Sequence, residues 1–181
     1  MRPQFFVLPL AALLAGCGSD PDPKSPDEVI AASKNLITPE PGLYTTKAEL
    51  LEFSVPGISP QQADMLRSRF SGMASENQTF CLTPDQAERG FEDMVRQMGE
   101  GRNGMSCDFT RFDADGGDLD AAMTCSGPAG LEADMALTGS MTTDSSQMRM
   151  EMKQSAAMIP GGEMNMVLQM NSQRTGDCPA G

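Results

Sequence analysis

From Leu131 to Asn171 apolar and polar residues alternate with a period of two, and this pattern constrains the fold more than any other feature of the chain. Leu131, Ala133, Met135, Leu137, Gly139 and Met141 alternate with Glu132, Asp134, Ala136, Thr138 and Ser140. Past a turn signal at Thr143-Asp144-Ser145-Ser146, Met148, Met150 and Met152 alternate with Arg149, Glu151 and Lys153. Past Ile159-Pro160-Gly161-Gly162, Met164, Met166, Leu168 and Met170 alternate with Asn165, Val167, Gln169 and Asn171. Successive side chains of a strand point to opposite faces, so these segments predict antiparallel strands with one apolar face and one wet face.

Upstream the period changes. Leu43 to Val55 reads as a strand, interrupted by Glu49-Leu50-Leu51-Glu52, and Pro56-Gly57 ends it. Ser59-Pro60-Gln61-Gln62 then has the form of a helix start, with a hydroxyl N-cap, proline at the first helical position and glutamine closing a capping box. Ala63, Leu66, Phe70 and Met73 supply its apolar stripe. The same device at Thr83-Pro84-Asp85-Gln86 predicts a second helix carrying Ala87, Phe91, Met94, Val95 and Met98, and Gln78 to Leu82 is a short strand between the two. The expectation is an α+β fold: a meander of five to seven antiparallel strands, curved or partly closed, with two amphipathic helices packed on its apolar face.

Met105 to Phe112 and Leu119 to Ser126 read as a β-hairpin around Gly116, which sets Cys107 opposite Cys125. Opposed residues on antiparallel strands have Cα atoms about 4.5–5.5 Å apart, within disulfide range. That favours Cys107 with Cys125 and leaves Cys81 with Cys178; the competing pairing, Cys81 with Cys107 and Cys125 with Cys178, would clip a helix to its flanking strands. The fifth cysteine, Cys17, closes a different kind of segment. Met1-Arg2-Pro3-Gln4 carries one positive charge, Phe5 to Leu14 is apolar, and Leu14-Ala15-Gly16-Cys17 follows. This apolar run is about half the roughly 20 residues that cross a bilayer, so it reads as an export signal. Its ending resembles the bacterial lipobox. Residues 1–16 are then a signal peptide, Cys17 is the lipidated N-terminus, and residues 17–41, rich in proline and serine, are a tether to a single domain over 42–181. More than one acyl chain anchors stably, so membrane lipid is the first expected partner. Gly18, where retention at the inner membrane takes an aspartate, points to the outer membrane of a bacterial envelope.

The formal net charge of −12 disfavours nucleic acid and anionic lipid surfaces as partners, and the chain has neither histidine nor tryptophan. No spacing of Ser, Lys, Asp or Glu singles out a catalytic group, so no enzyme and no cofactor is expected. Two constellations remain. Asp113, Asp115, Asp118 and Asp120 surround Gly116-Gly117 and could offer oxygens to Ca²⁺, but the same residues suit a tight turn and the bidentate glutamate of an EF-hand is missing. Sixteen of 181 residues are methionine. Thioethers are soft ligands for Cu(I), with Met148, Met150, Met152, Met164 and Met166 as candidates; methionine equally packs irregular gaps and moulds itself to apolar ligands.

Pro41-Gly42-Leu43-Tyr44, Phe80-Cys81-Leu82-Thr83-Pro84-Asp85-Gln86, the pair Cys107 and Cys125, the Met-rich strand pairs and Gly176-Asp177-Cys178-Pro179 together resemble a family of small exported proteins and lipoproteins of Gram-negative bacteria, known as domain of unknown function 3617. The resemblance covers about residues 41 to 181, and Tyr44 stands where the family usually has tryptophan. It implies an envelope location and no activity. The expected function is a membrane-anchored, non-catalytic module that binds an envelope protein or an apolar small molecule, with a Cu(I)-handling protein and a cryptic enzyme as the alternatives.

Overall fold

The computed structural model describes residues 24–99 and 104–179. The export signal and Cys17 lie outside them. Seven strands form one antiparallel sheet: β1 (Gly42–Ser54), β2 (Gln78–Leu82), β3 (Ser106–Asp115), β4 (Asp118–Gly127), β5 (Leu131–Met141), β6 (Ser145–Ser155) and β7 (Glu163–Gly176). Their spatial order is β2-β1-β7-β6-β5-β4-β3. The last five strands are the expected meander, and β1 adds to its far side by pairing with β7. The sheet stays open, with β2 and β3 as its edges, so of the two forms expected, curved or partly closed, closure does not occur.

Directly opposed residues share a face. The register therefore aligns the apolar positions of six strands, β1 and β3 to β7, on one side. Two bulges keep it so. A register shift at Thr110 puts both Phe109 and Phe112 on the apolar side, their rings edge to face at 5.9 Å. The Glu49–Glu52 interruption is a second shift, at Leu51, after which Phe53 rejoins that side opposite Met166.

Four helices accompany the sheet: α1 (Pro26–Ser33), α2 (Pro60–Ser75), α3 (Pro84–Arg89) and α4 (Glu92–Gly99). Ser59 and Thr83 cap α2 and α3 through the capping boxes read from sequence. The expected second helix is broken, because Gly90 takes φ +54° and ends α3 before α4 starts. The packing also differs from two helices over one face. α2 lies against β1, where Phe70 meets Phe53 at 5.3 Å between ring centres, while α4 lies against β3 with α1 beside it.

α1 corrects the tether. Residues 24–41 do not behave as a spacer: Ser25-Pro26-Asp27-Glu28 is a third capping box, Val29 is fully buried, and Ile30 and Leu36 join the core with Val95, Phe109 and Phe112. The Lys24 amide donates to the Phe109 carbonyl on the open edge of β3, and the Ile37 amide donates to Gly116. An exposed β3 edge would offer unpaired backbone groups, and Lys24 covers part of it.

Candidate functional site

The apolar face is built as cross-strand rows, and what covers each row decides what it can do. Leu119, Gly139, Met148, Met170 and Ala48 form one row across β4, β5, β6, β7 and β1. The next row towards the β5–β6 turn is Met141, Ser146, Ser172 and Thr46. Away from that turn lie Ala121, Leu137, Met150, Leu168 and Leu50, then Met123, Met135, Met152, Met166 and Phe53. α1 and α4 stand over the β3 end of these rows and α2 over the β1 end. The residues between, including Met135, Leu137, Met150, Met152 and Leu168, are only half-buried.

Over the upper rows this gap becomes a cavity of about 760 Å³. Leu137, Met148 and Met170 line it from the sheet, and Leu36, Ala87 and Phe91 from α3 and its neighbours. Apolar pockets of about 300–1,000 Å³ are of the size that holds a small organic ligand. Tyr44 and Phe80, stacked at 5.5 Å between centroids, form a further wall, and Phe80 and Met94 are exposed. Tyr44 is fixed by its hydroxyl, which donates to the Glu40 carbonyl at 2.7 Å and sits 3.1 Å from that of Thr143. Burial pushes this hydroxyl's pKa up and the Arg174 charge partly opposes it, so Tyr44 keeps its proton and the two hydrogen-bonding contacts that hold its ring in place. Gly139 lets the cavity floor form, because a Cβ there would lie 2.6 Å from the Met148 sulfur.

One end of the cavity is polar. Ser146 and Ser172 line it, and Thr46 donates to Ser172 at 3.0 Å. The segment after α1 crosses this end of the sheet, where Glu40 donates to Thr143 at 2.6 Å. Lys34, at the C-cap of α1, and Arg89 of α3 also line the cavity and are exposed, which puts them at its mouth. Arg89 pairs with Asp93 at 2.8 Å.

The residues singled out in the sequence fall as follows. Cys107 pairs with Cys125 and Cys81 with Cys178 as disulfides, with Cα separations of 4.0 and 5.4 Å. The hairpin turn is Gly116-Gly117 alone, so Asp113, Asp115, Asp118 and Asp120 stand on the strands as the opposed pairs 113/120 and 115/118. Arg111 holds Asp120 through two contacts, at 2.8 and 3.0 Å, and Lys24 approaches Asp113 at 3.9 Å. Among the described residues no three Asp, Glu, Cys or His side chains gather as a metal cage. Of the methionines, Met94, Met141, Met148 and Met170 line the cavity, while Met152 and Met166 belong to the row of four with Met123 and Met135. Met150 lies between these rows, and Met164 stands opposite Gln154. Sequence reasoning missed the contribution of Lys34, Leu36 and Ile37; the capping box at Ser25 was the signal that could have found it.

No curated protein and no solved structure matches this chain. The family model described as "Protein of unknown function (DUF3617)" matches residues 39–178, and the chain belongs to that family.

Proposed function

We propose that this protein is an exported, lipid-anchored, non-catalytic module of the bacterial envelope that holds an apolar small molecule between its Met-rich sheet and α3. The observation that carries the reading is the cavity itself. A dry core with a flat apolar patch would favour a protein partner, whereas a concave space of about 760 Å³ walled by thioether, aliphatic and aromatic side chains favours a ligand. Methionine suits such a wall because its unbranched, polarisable side chain adapts to varied shapes. The chain's lack of histidine supports binding over chemistry. Leu14-Ala15-Gly16-Cys17 supports the anchor, and Gly18 the outer membrane.

The test is titration of the full chain with the neutral fluorophore N-phenyl-1-naphthylamine. Saturable binding that Leu137→Trp removes, with an unchanged circular dichroism spectrum, is the expected outcome; absence of saturable binding defeats the reading. For the anchor, Cys17→Ala should leave an unprocessed or soluble form that carries no acyl mass. A wild-type chain without acyl groups would remove the anchor from the proposal.

A second reading has one observation in its favour. Met123, Met135, Met152 and Met166 occupy one row on four adjacent strands, and opposed Cβ atoms in a sheet stand about 4.5–5.5 Å apart, close enough for flexible thioethers to converge on one soft ion. Met135 and Met152 are half-buried and therefore reachable. Competition against a Cu(I) chelator decides it: one-to-one binding lost in Met135→Leu with Met152→Leu would support copper handling, and no competition by the wild type would end it.

A further inference from the structure

The cavity is not uniformly apolar, and its polarity is ordered along the strands. Its floor begins with Leu137, continues through the Met148–Met170 row, and ends one row later where the Ser146 and Ser172 hydroxyls follow Met141. On a face otherwise given over to the core, Ser146 and Ser172 stand directly opposite one another. Ser172 accepts from Thr46, which leaves its own proton free to be donated, and the Ser146 hydroxyl makes no hydrogen bond among the described residues. Neither serine is buried, so both hydroxyls are within reach of water. Both are donors aimed at a space whose next occupants are methionine side chains.

Charge points the same way. In a chain of net charge −12, two of the cavity's lining residues are cations. Arg89 is already engaged by Asp93, with both side chains about half exposed, an ion pair that contributes little and exchanges easily. Lys34 makes no ion pair with any described residue, and the segment it leads into crosses the hydroxyl end of the sheet, where Ile37 donates to Gly116 at 2.8 Å. Glu88 also lines the cavity and sets a limit on how much negative charge it accepts.

From this gradient we infer that the ligand is a single-chain amphiphile of the fatty-carboxylate class. Its head meets the Ser146 and Ser172 hydroxyls and the Lys34 ammonium, and its tail lies along Met170, Met148 and Leu137 under Phe91. The inference rests on the apolar-ligand reading above and adds the headgroup and its orientation. A carboxylate accepts hydrogen bonds only, which suits two hydroxyl donors and a lysine, and charge-assisted bonds of this kind are about twice as strong as neutral ones.

The experiment is displacement of bound N-phenyl-1-naphthylamine from the full chain carrying Cys17→Ser, which keeps acyl chains of its own out of the assay. Oleate and oleyl alcohol are compared below their aggregation limits. The expected result is that oleate displaces the probe at a concentration about tenfold lower than the alcohol, the equivalent of one charge-assisted contact. Lys34→Gln should bring oleate close to the alcohol, each displacement being referred to the probe Kd measured for that variant, and Ser146→Ala should weaken both competitors. If the probe binds and the two competitors displace it equally, the headgroup assignment is wrong while the apolar cavity stands. If the probe does not bind, both readings fall.

Discussion

Gly139 stands opposite Met148 on the cavity floor, and a Cβ there would meet the Gln147 carbonyl as well as the Met148 sulfur. Gly139→Ala should therefore destabilise the fold by about 1–3 kcal/mol, the usual effect of overpacking. It should also push Met148 into the cavity and weaken fluorophore binding. Urea melts and the same titration check the two effects, and an alanine tolerated without either would mean that the strands at this row are further apart than described. At the N-terminal cap, the Ser25 hydroxyl and amide both reach the Glu28 carboxylate, at 2.7 and 2.8 Å. Hydrogen bonding from the Ser25 side chain, then from its backbone, lowers the Glu28 pKa. A carboxyl lowered on folding adds stability above its unfolded value, about 4.3, and loses it as pH falls through the folded value. Ser25→Ala should raise the Glu28 pKa towards the ordinary range in an NMR titration. The same change should speed amide exchange at Val29 and Ile30.

At the scale of elements, three helices begin with the same device: a hydroxyl cap, proline at the first position and Glu or Gln at the third. Two were legible because apolar residues at helical spacing follow them. The third reads as tether in the sequence, since proline and serine also mark spacers and only Val29, Ile30, Leu36 and Ile37 stand out as apolar across 24–41. Val29→Ala separates the two meanings. A spacer residue would tolerate it, whereas a fully buried valine should cost about 2 kcal/mol in transfer and cavity terms, read from urea melts. The break between α3 and α4 was hidden for another reason. Ala87, Phe91, Val95 and Met98 keep helical spacing across Gly90, so the stripe reads as one helix, yet Gly90 turns the chain with φ +54° and ψ −124°. That region is closed to residues with a Cβ, and Gly90→Ala should destabilise by about 1–3 kcal/mol and disturb the α3 wall of the cavity.

For the whole molecule, the two disulfides close loops of different scale, with sequence separations of 97 for Cys81–Cys178 and 18 for Cys107–Cys125. The chain-entropy model assigns about 4.7 kcal/mol to the longer loop and about 3 to the shorter. Cys81→Ala with Cys178→Ala should accordingly lower the urea midpoint more than Cys107→Ala with Cys125→Ala; the reverse order would show that the hairpin bridge acts through packing. The sequence alone determined the alternating strands and which side of the meander is apolar, because a period of two assigns every side chain to a face. It favoured both bridges over the competing pairing without deciding between them, and Cys107 meets Cys125 across the two-glycine turn only because the extra residue at Thr110 shifts the register by one. Tertiary structure alone decided that β1 closes on β7, that residues 24–41 belong to the core, and that α1 and α4 stand at one end of the apolar face while α2 stands at the other. Those choices depend on contacts far apart in the chain, which no local period encodes. The cavity is the space they leave, so its existence, its hydroxyl end and the cations at its mouth became visible only once the helices had taken their places.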